Sequence, residues 1–519
     1  MKITNRYSWL LGFLAAIFFQ SCAEPTVQEV VQEKKPNIVI IYLDDLGYGD
    51  VSAYQSGILP TPNMDRLANG GVRFTNGYAS SATCTPSRYA FLTGTYPWRN
   101  QDAKILPGTA PLIIDTAQVT LPKILRKQGY HTAVIGKWHL GLGTGTVDWN
   151  QEISPGPNQV GFDHSYIMAA TQDRVPTVYI ENGRVVNLDP NDPIEVNYEK
   201  NFEGEPTAIS NPELLTMKWH HGHNNSIVNG IPRIGFMKGG QIAKWSDVDM
   251  ADHFLEKGKS YIKEKSKSES PFFLFFAMQQ PHVPRTPHPR FEGKSGMGPR
   301  GDVILEADWV IGELYKTLEE EGLLENTLII FSSDNGPVLN DGYFDEAVEK
   351  LGDHTPAGPL RGGKYSLYEA GTKVPFITYW KGKIQPGVSD ALVTQIDLLA
   401  SLAAFTGSTE SAPDSQNLLD TFLGKSQKGR DAFVLEAYTK TALRAGDWVM
   451  IPPYPGPALE KNVQIEMGNS PDYQLYYLKE DPEQKNNLAQ SNPEKLEEMK
   501  IKYQEIRGDN SKIEQVELN

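Results

Sequence analysis

Pro36-Asn37-Ile38-Val39-Ile40-Ile41-Tyr42-Leu43-Asp44-Asp45 carries an apolar run, Ile38 to Leu43, that never alternates with polar residues and ends on two adjacent carboxylates. A run of this kind suits a strand covered on both faces, as in the interior of a parallel sheet. The pattern recurs along the chain. Thr132-Ala133-Val134-Ile135-Gly136 leads into Lys137-Trp138-His139. The run Phe272 to Met278 leads into Gln279-Gln280-Pro281-His282, and Leu328 to Ser333 leads into Asp334-Asn335-Gly336. Each apolar segment ends in polar groups. Open α/β sheets bind ligands at the carboxyl ends of their strands, so these groups are expected on one rim.

Helical stretches lie between the strands. Thr120 to Gln128 places Leu121, Ile124 and Leu125 at helical spacing before Gly129. Ile304 to Glu321 places Ala307, Ile311, Leu314 and Leu318 on one face before Gly322. Alternation of strand and helix predicts an α/β fold, a mostly parallel sheet sandwiched by helices. Residues 150–245 are rich in Pro, Gly and Asn and weakly periodic, and are expected to form excursions over the rim. Beyond about residue 430 the pattern changes to short strands, Ala432–Ala437, Thr441–Ile451 and Tyr473–Leu478, and then a charged helix from Pro493 to Ile506. These predict a smaller C-terminal α+β subdomain on a short antiparallel sheet. The expected divisions are a signal over 1–22, a tether over 23–35, a catalytic domain over 36–425 and the C-terminal subdomain over 426–519.

The chain has 519 residues and a net charge of −15, which argues against a nucleic-acid binder. It also opposes an anionic substrate at long range, so an anion site needs a local cluster of Lys, Arg and His. Lys2 and Arg6 precede an apolar run, Trp9 to Phe19, too short to span a bilayer and shaped like an export signal. Cys22 follows Ser21, and this resembles a bacterial lipoprotein cleavage box. It implies lipidation of Cys22 and a periplasmic or outer-membrane-anchored protein. Ordinary cleavage near Ala23 is the alternative and leaves no anchor.

The only other cysteine is Cys84, in Ser81-Ala82-Thr83-Cys84-Thr85-Pro86-Ser87-Arg88 and ahead of Leu92-Thr93-Gly94. A lone thiol in an exported protein calls for an explanation. If Pro86 opens a helix, Cys84 and Arg88 share a face near its anion-favouring end. An unmodified thiol there is expected to be a depressed-pKa thiolate. Asp44-Asp45 and Asp334-Asn335 offer oxygen ligands suited to a hard cation such as Ca²⁺ or Mg²⁺.

Cys-x-Pro-x-Arg with the following Leu-Thr-Gly resembles the motif at which sulfatases convert cysteine to formylglycine. The chain resembles a type I sulfatase of the alkaline phosphatase superfamily over nearly all of residues 36–506. Leu443-Arg444-Ala445-Gly446-Asp447-Trp448 and Leu475-Tyr476-Tyr477-Leu478-Lys479-Glu480-Asp481-Pro482 resemble that family's C-terminal text. The resemblance implies one Ca²⁺ held by Asp44, Asp45, Asp334, Asn335 and the residue made from Cys84. It implies that a formylglycine-generating enzyme acts on the chain. Lys137, Lys364 and His282 would bind sulfate, and Arg88 would hold the hydrated aldehyde. One hydroxyl of that gem-diol attacks sulfur, His282 protonates the leaving alcohol, and His139 takes the proton from the second hydroxyl to expel sulfate. One departure is Lys373, where the family commonly has arginine.

Asp173-Arg174 and the histidine cluster Trp219-His220-His221-Gly222-His223 are candidates for sugar-hydroxyl recognition, with His221 the histidine singled out. The expected activity is hydrolysis of sulfate from a sulfated carbohydrate. The rivals are a phosphomonoester or phosphonate hydrolase of the same superfamily and a non-catalytic glycan-binding lipoprotein. The latter requires an unmodified Cys84.

Overall fold

The computed structural model describes residues 34–55 and 57–508. The expected signal, with Cys22, and nearly all of the tether lie outside these residues.

Ten strands form the main sheet: β1 Asn37–Asp44, β2 Val72–Phe74, β3 His131–Lys137, β4 His164–Met168, β5 Tyr179–Glu181, β6 Arg184–Val185, β7 Phe272–Pro281, β8 Thr327–Ser333, β9 Phe376–Tyr379 and β10 Gly387–Ser389. Their order is β10-β2-β9-β8-β1-β7-β3-β4-β5-β6. From β8 to β4 every pairing is parallel. β9 and β2 on one side, and β5 and β6 on the other, extend this block with antiparallel pairings.

The unbroken apolar run of β1 has a direct physical explanation. Ile38, Ile40 and Tyr42 enter one core, and Val39, Ile41 and Leu43 enter another on the opposite face. The first core is closed by helices α2 (Cys84–Thr93), α3 (Leu121–Lys127) and α6 (Leu398–Thr406). The second is closed by α1 (Pro62–Gly70), α4 (Met250–Lys265) and α5 (Gly298–Glu320). Both faces of each central strand are thus removed from water, worth about 2 kcal/mol per large apolar side chain. Helix α3 starts where expected, with Thr120 Oγ1 accepting from the Lys123 N–H at 3.4 Å. Helix α5 starts earlier than its apolar spacing indicates, because Pro299 sits in the first turn, where no intrahelical N–H is needed.

The segment 150–245 only partly behaves as expected. It contributes β4, β5 and β6 to the sheet edge before its loops turn over the rim. These strands are two to five residues long, too short to leave a periodic signal.

Toward the C-terminus, β11 Ala432–Ala437, β12 Lys440–Ala445, β13 Trp448–Ile451 and β14 Gln474–Tyr477 form an antiparallel sheet. Val434, Leu443, Met450 and Leu475 pack on Met499 and Tyr503 of α7 (Pro493–Arg507). The opposite face, with Phe433, Leu435 and Val449, packs on Tyr78, Ala82 and Ala90 of the main body. Glu436 joins the two parts through its backbone. Its carbonyl accepts from the Ala82 N–H at 2.8 Å, and its N–H donates to the Ser80 carbonyl at 3.2 Å. At the departure from the family pattern, Lys373 Nζ donates to Asn76 Oδ1 at 3.0 Å and lies 3.9 Å from Glu369.

Burial pushes the Glu436 carboxyl from its ordinary 4.5 up to about 8, and an N–H bond from Thr439 only partly offsets this. The native state therefore binds this proton more tightly than the unfolded chain. Its contribution to stability is fully present below about pH 4.5 and is lost as pH rises through about 8. Glu436→Gln is expected to melt above the wild type at pH 9, by on the order of 3 kcal/mol, with the difference closing toward pH 5. Thermal melts across that range test this, and a difference constant with pH would refute it.

Candidate active site

The carboxyl ends of β1, β3, β7 and β8 meet the N-terminus of α2. In a regular strand Asp44 and Asp45 would point to opposite faces. Asp45 instead has a φ of +63°, which ends the strand and turns its carboxylate back beside that of Asp44. The Asp45 N–H donates to Asp334 Oδ1 at 3.3 Å. Asn335 Nδ2 donates to Asp45 Oδ1 at 2.7 Å and to the Gly336 carbonyl at 2.9 Å.

Cys84 is the first residue of α2, so Pro86 lies within the opening turn and does not itself start the helix. The Cys84 thiol is 3.5 Å from Asp44 Oδ1. Arg88, one turn later, donates from Nε to Asp334 Oδ2 at 2.9 Å and from a terminal nitrogen to the Lys137 carbonyl at 3.1 Å. Lys137 Nζ donates to Asp44 Oδ2. Lys364 Nζ donates to Asp45 Oδ2 at 2.9 Å and to Asp341 Oδ2 at 2.8 Å. All of these side chains are buried.

Burial and opposed charges sort the protonation states. Asp44 is pushed up to about 8 by burial and by the Asp334 charge, against the pull of Lys137. Asp334 is also penalised by burial, but Arg88 and Lys137 outweigh this and hold it below the usual carboxylate range. The expectation of a depressed Cys84 thiol fails. Burial raises it well above its ordinary value, and Asp44 and Asp334 add to the rise against Lys137. A helix end does not offset burial and two neighbouring carboxylates. Burial, then Lys364 and Lys137, hold His282 neutral; burial, then Lys137, does the same for His139.

The histidine tautomers follow from their bonds. His139 Nε2 is 3.0 Å from the Leu106 carbonyl and donates to it, which leaves Nδ1 a buried lone pair without a partner among the described residues. His282 Nδ1 donates to the Val283 carbonyl at 2.7 Å, leaving Nε2 3.9 Å from Asp45 Oδ2.

Ligand atoms of Asp44, Asp45, Cys84 and Asp334 lie within 4.8 Å of one another. Beside them Asn335 Oδ1 is buried with no hydrogen-bond partner among the described residues. An orphaned amide oxygen next to three carboxylates is a donor set for a hard cation. The residues fit a metal.

Above this cluster opens a cavity of about 310 Å³, whose wall includes Cys84, His139, His282 and Lys364. Asp173 and Arg174 line one side, and Arg174 donates to both Asp173 oxygens at 3.0–3.1 Å. His221 and His223 are both present, in different roles. His223 is buried and lies 2.8 Å from Asp173 Oδ2, whereas His221 is half-buried at the cavity wall. The His223 ring lies so close to Gly342 (φ +103°) that a Cβ there would come within 1.9 Å of Nδ1. Asp341, Tyr365, Tyr438 and Glu460 also line the cavity, and the sequence offered no sign of them.

The sulfatase profile matches residues 36–408. The chain belongs to the sulfatase family. This sulfatase is 52% identical over 505 residues to an N-acetylgalactosamine-6-O-sulfatase of Bacteroides thetaiotaomicron, covering 96% of this chain and 98% of that protein. It is 30% identical to human arylsulfatase A over 390 residues, 75% of this chain and 67% of that one. A solved Bacteroides thetaiotaomicron structure, described with that organism's metabolism of multiple glycosaminoglycans, superposes with a TM-score of 0.89 at 51% identity. The match covers 91% of this chain and 99% of that one. A sulfatase from Pseudoalteromonas sp. superposes with a TM-score of 0.68 at 26% identity, over 91% and 90% of the two chains.

Proposed function

We propose that this sulfatase removes the 6-O-sulfate of N-acetylgalactosamine in glycosaminoglycan fragments. The supporting observation is identity to the N-acetylgalactosamine-6-O-sulfatase across nearly the whole of both chains. The charged side of the cavity suits a sugar. Asp173 and Arg174 offer an acceptor and donors to neighbouring hydroxyls, as His221 can.

The cation of this reading is Ca²⁺, which Asp44, Asp45, Asp334, Asn335 and the residue made from Cys84 would hold. When bound it would supply Lewis-acid stabilisation of the reacting oxygens, and the aldehyde that a maturating enzyme would make from Cys84 would supply the nucleophile. The remaining work falls to the chain itself. Lys137 and Lys364 set two positive charges where sulfate oxygens gain charge, in a water-poor site where such charges act strongly. Arg88 fixes Asp334 and the first turn of α2 in register. The arriving sulfate ester favours the protonated form of His282, so its Nε2 can pass a proton to the leaving alcohol oxygen. His139, with Nε2–H committed to Leu106, presents Nδ1 as the base that accepts a proton beside residue 84.

Assays of the matured protein on the 6- and 4-sulfates of N-acetylgalactosamine, with a phosphate ester of the same sugar as control, test the reading. The 6-sulfate is expected to be preferred by at least ~100-fold in kcat/KM. Asp173→Asn is expected to raise KM by about tenfold on that substrate, through loss of a charged acceptor. Preference for the 4-sulfate or the phosphate would overturn the assignment.

A further inference from the structure

One polar atom at the cavity is used by none of these steps. The Tyr438 hydroxyl is buried and has no hydrogen-bond partner among the described residues. Leaving a hydroxyl desolvated and unpaired costs about 1–3 kcal/mol. Tyr438 also sits at a conformationally costly place. It and Thr439 form the two-residue turn between β11 and β12, with φ of +47° and +66°. That turn geometry favours glycine or asparagine, and each ordinary residue there costs about 1 kcal/mol. Two costs at one position, in a tyrosine that lines the cavity, point to a ligand contact.

The surroundings indicate what the contact receives. Tyr438 lines the cavity together with Asp341, Lys364, Cys84 and Arg174, and the hydroxyl feels the electrostatics of these groups. The ring stacks on Tyr365, with centroids 5.1 Å apart and planes at 26°. Ile105, Tyr365, Tyr438 and Val463 belong to one apolar cluster, and all four line the cavity. The cavity therefore has a charged side, at Asp173 and Arg174, and an apolar side carrying one unpaired hydroxyl. A sugar hydroxyl matches the first side. An acetamido group matches the second: its methyl needs apolar contact, and its amide needs a single hydrogen-bonding partner.

We propose that Tyr438 is a specificity-determining residue that recognises an N-acetyl group on the substrate sugar, its hydroxyl bonding the amide and the apolar wall holding the methyl. This rests on the reading of the substrate as an N-acetylated sugar sulfate.

Galactose 6-sulfate and N-acetylgalactosamine 6-sulfate differ only in the group at issue, so the ratio of their kcat/KM values reads the contact. Tyr438→Phe keeps the ring and removes the hydroxyl, and is expected to lower the preference for the acetamido sugar by about tenfold, mainly through KM. Tyr438→Ala removes the wall as well and is expected to lower it further. Binding of both sugar sulfates to Cys84→Ala protein, which has no nucleophile at that position, with and without Tyr438→Phe, gives a readout independent of turnover and is expected to show the same change. A ratio that Tyr438→Phe leaves unmoved, or an equal loss on both sugars, overturns the assignment while the substrate reading stands. Wild-type protein that hydrolyses neither sugar overturns the substrate reading and the assignment with it.

Discussion

Replacing Cys84 by serine is expected to stop turnover, lowering kcat by about 10⁴ or more while leaving the fold and substrate binding in place. Serine is close to isosteric with cysteine. It would occupy the first position of α2 against Asp44 without disturbing the buried ion pairs. Its hydroxyl can attack a sulfate ester once. The resulting sulfated serine has no second hydroxyl from which a base such as His139 can remove a proton to expel sulfate. The expected result is therefore a single turnover, with the peptide around residue 84 carrying sulfate. Peptide mass and pre-steady-state sulfate release measure it. Continued multiple turnover by Cys84→Ser would overturn the nucleophile assignment.

Asp334→Asn is expected to have the second-largest effect, a fall in kcat/KM of about 10³ together with loss of calcium-dependent stabilisation. Asp334 is the carboxylate of the cluster that Arg88 and Lys137 hold in its charged form in spite of complete burial. It is also the group to which Arg88 and the Asp45 N–H donate. Removing its charge weakens the cation site and takes from the buried Arg88 guanidinium the carboxylate 2.8 Å away, which costs about 3–5 kcal/mol. The two consequences separate experimentally. Melting curves with and without added Ca²⁺ are expected to shift for the wild type and coincide for the variant, even where the variant alone melts lower. A variant that keeps the calcium-dependent shift would remove Asp334 from the metal site.

The central strands were legible because both of their faces are covered. Ile38, Ile40 and Tyr42 serve one core while Val39, Ile41 and Leu43 serve the other, so no position could become polar. The polar groups after them, from Asp44-Asp45 to Asp334-Asn335, could be read as one rim for the same reason. The edges were not legible. β2, β5, β6 and β10 are two or three residues long and owe their pairing to the sheet already formed beside them. The thiol was misjudged because the helix end was weighed without the site's burial, which raises the thiol more than any neighbouring charge does. Asp341 stands in Leu339-Asn340-Asp341-Gly342 and Tyr438 in a hairpin turn, and both read locally as ordinary turn residues. Tyr438 reaches the cavity only through the docking of the C-terminal sheet, which no local pattern encodes. Among the three clustered histidines, the one buried against Asp173 was settled by the space left at Gly342.

The backbone pairing of Glu436 with Ser80 and Ala82 also sets a timetable for biogenesis. The segment leading into Cys84 cannot take its final place until β11 exists, and Tyr438 closes over the site only after that. The ribosome releases residue 84 roughly 350 residues before residue 438, an interval of about 20–70 s at ordinary elongation rates. Through that interval the thiol lies in unfolded chain; in the finished fold it is 2% exposed, in the wall of the cavity. The C-terminal hairpin thus acts as a clock for Cys84: until β11 pairs with residues 80–82 the thiol belongs to open chain, and afterwards only what fits the cavity reaches it.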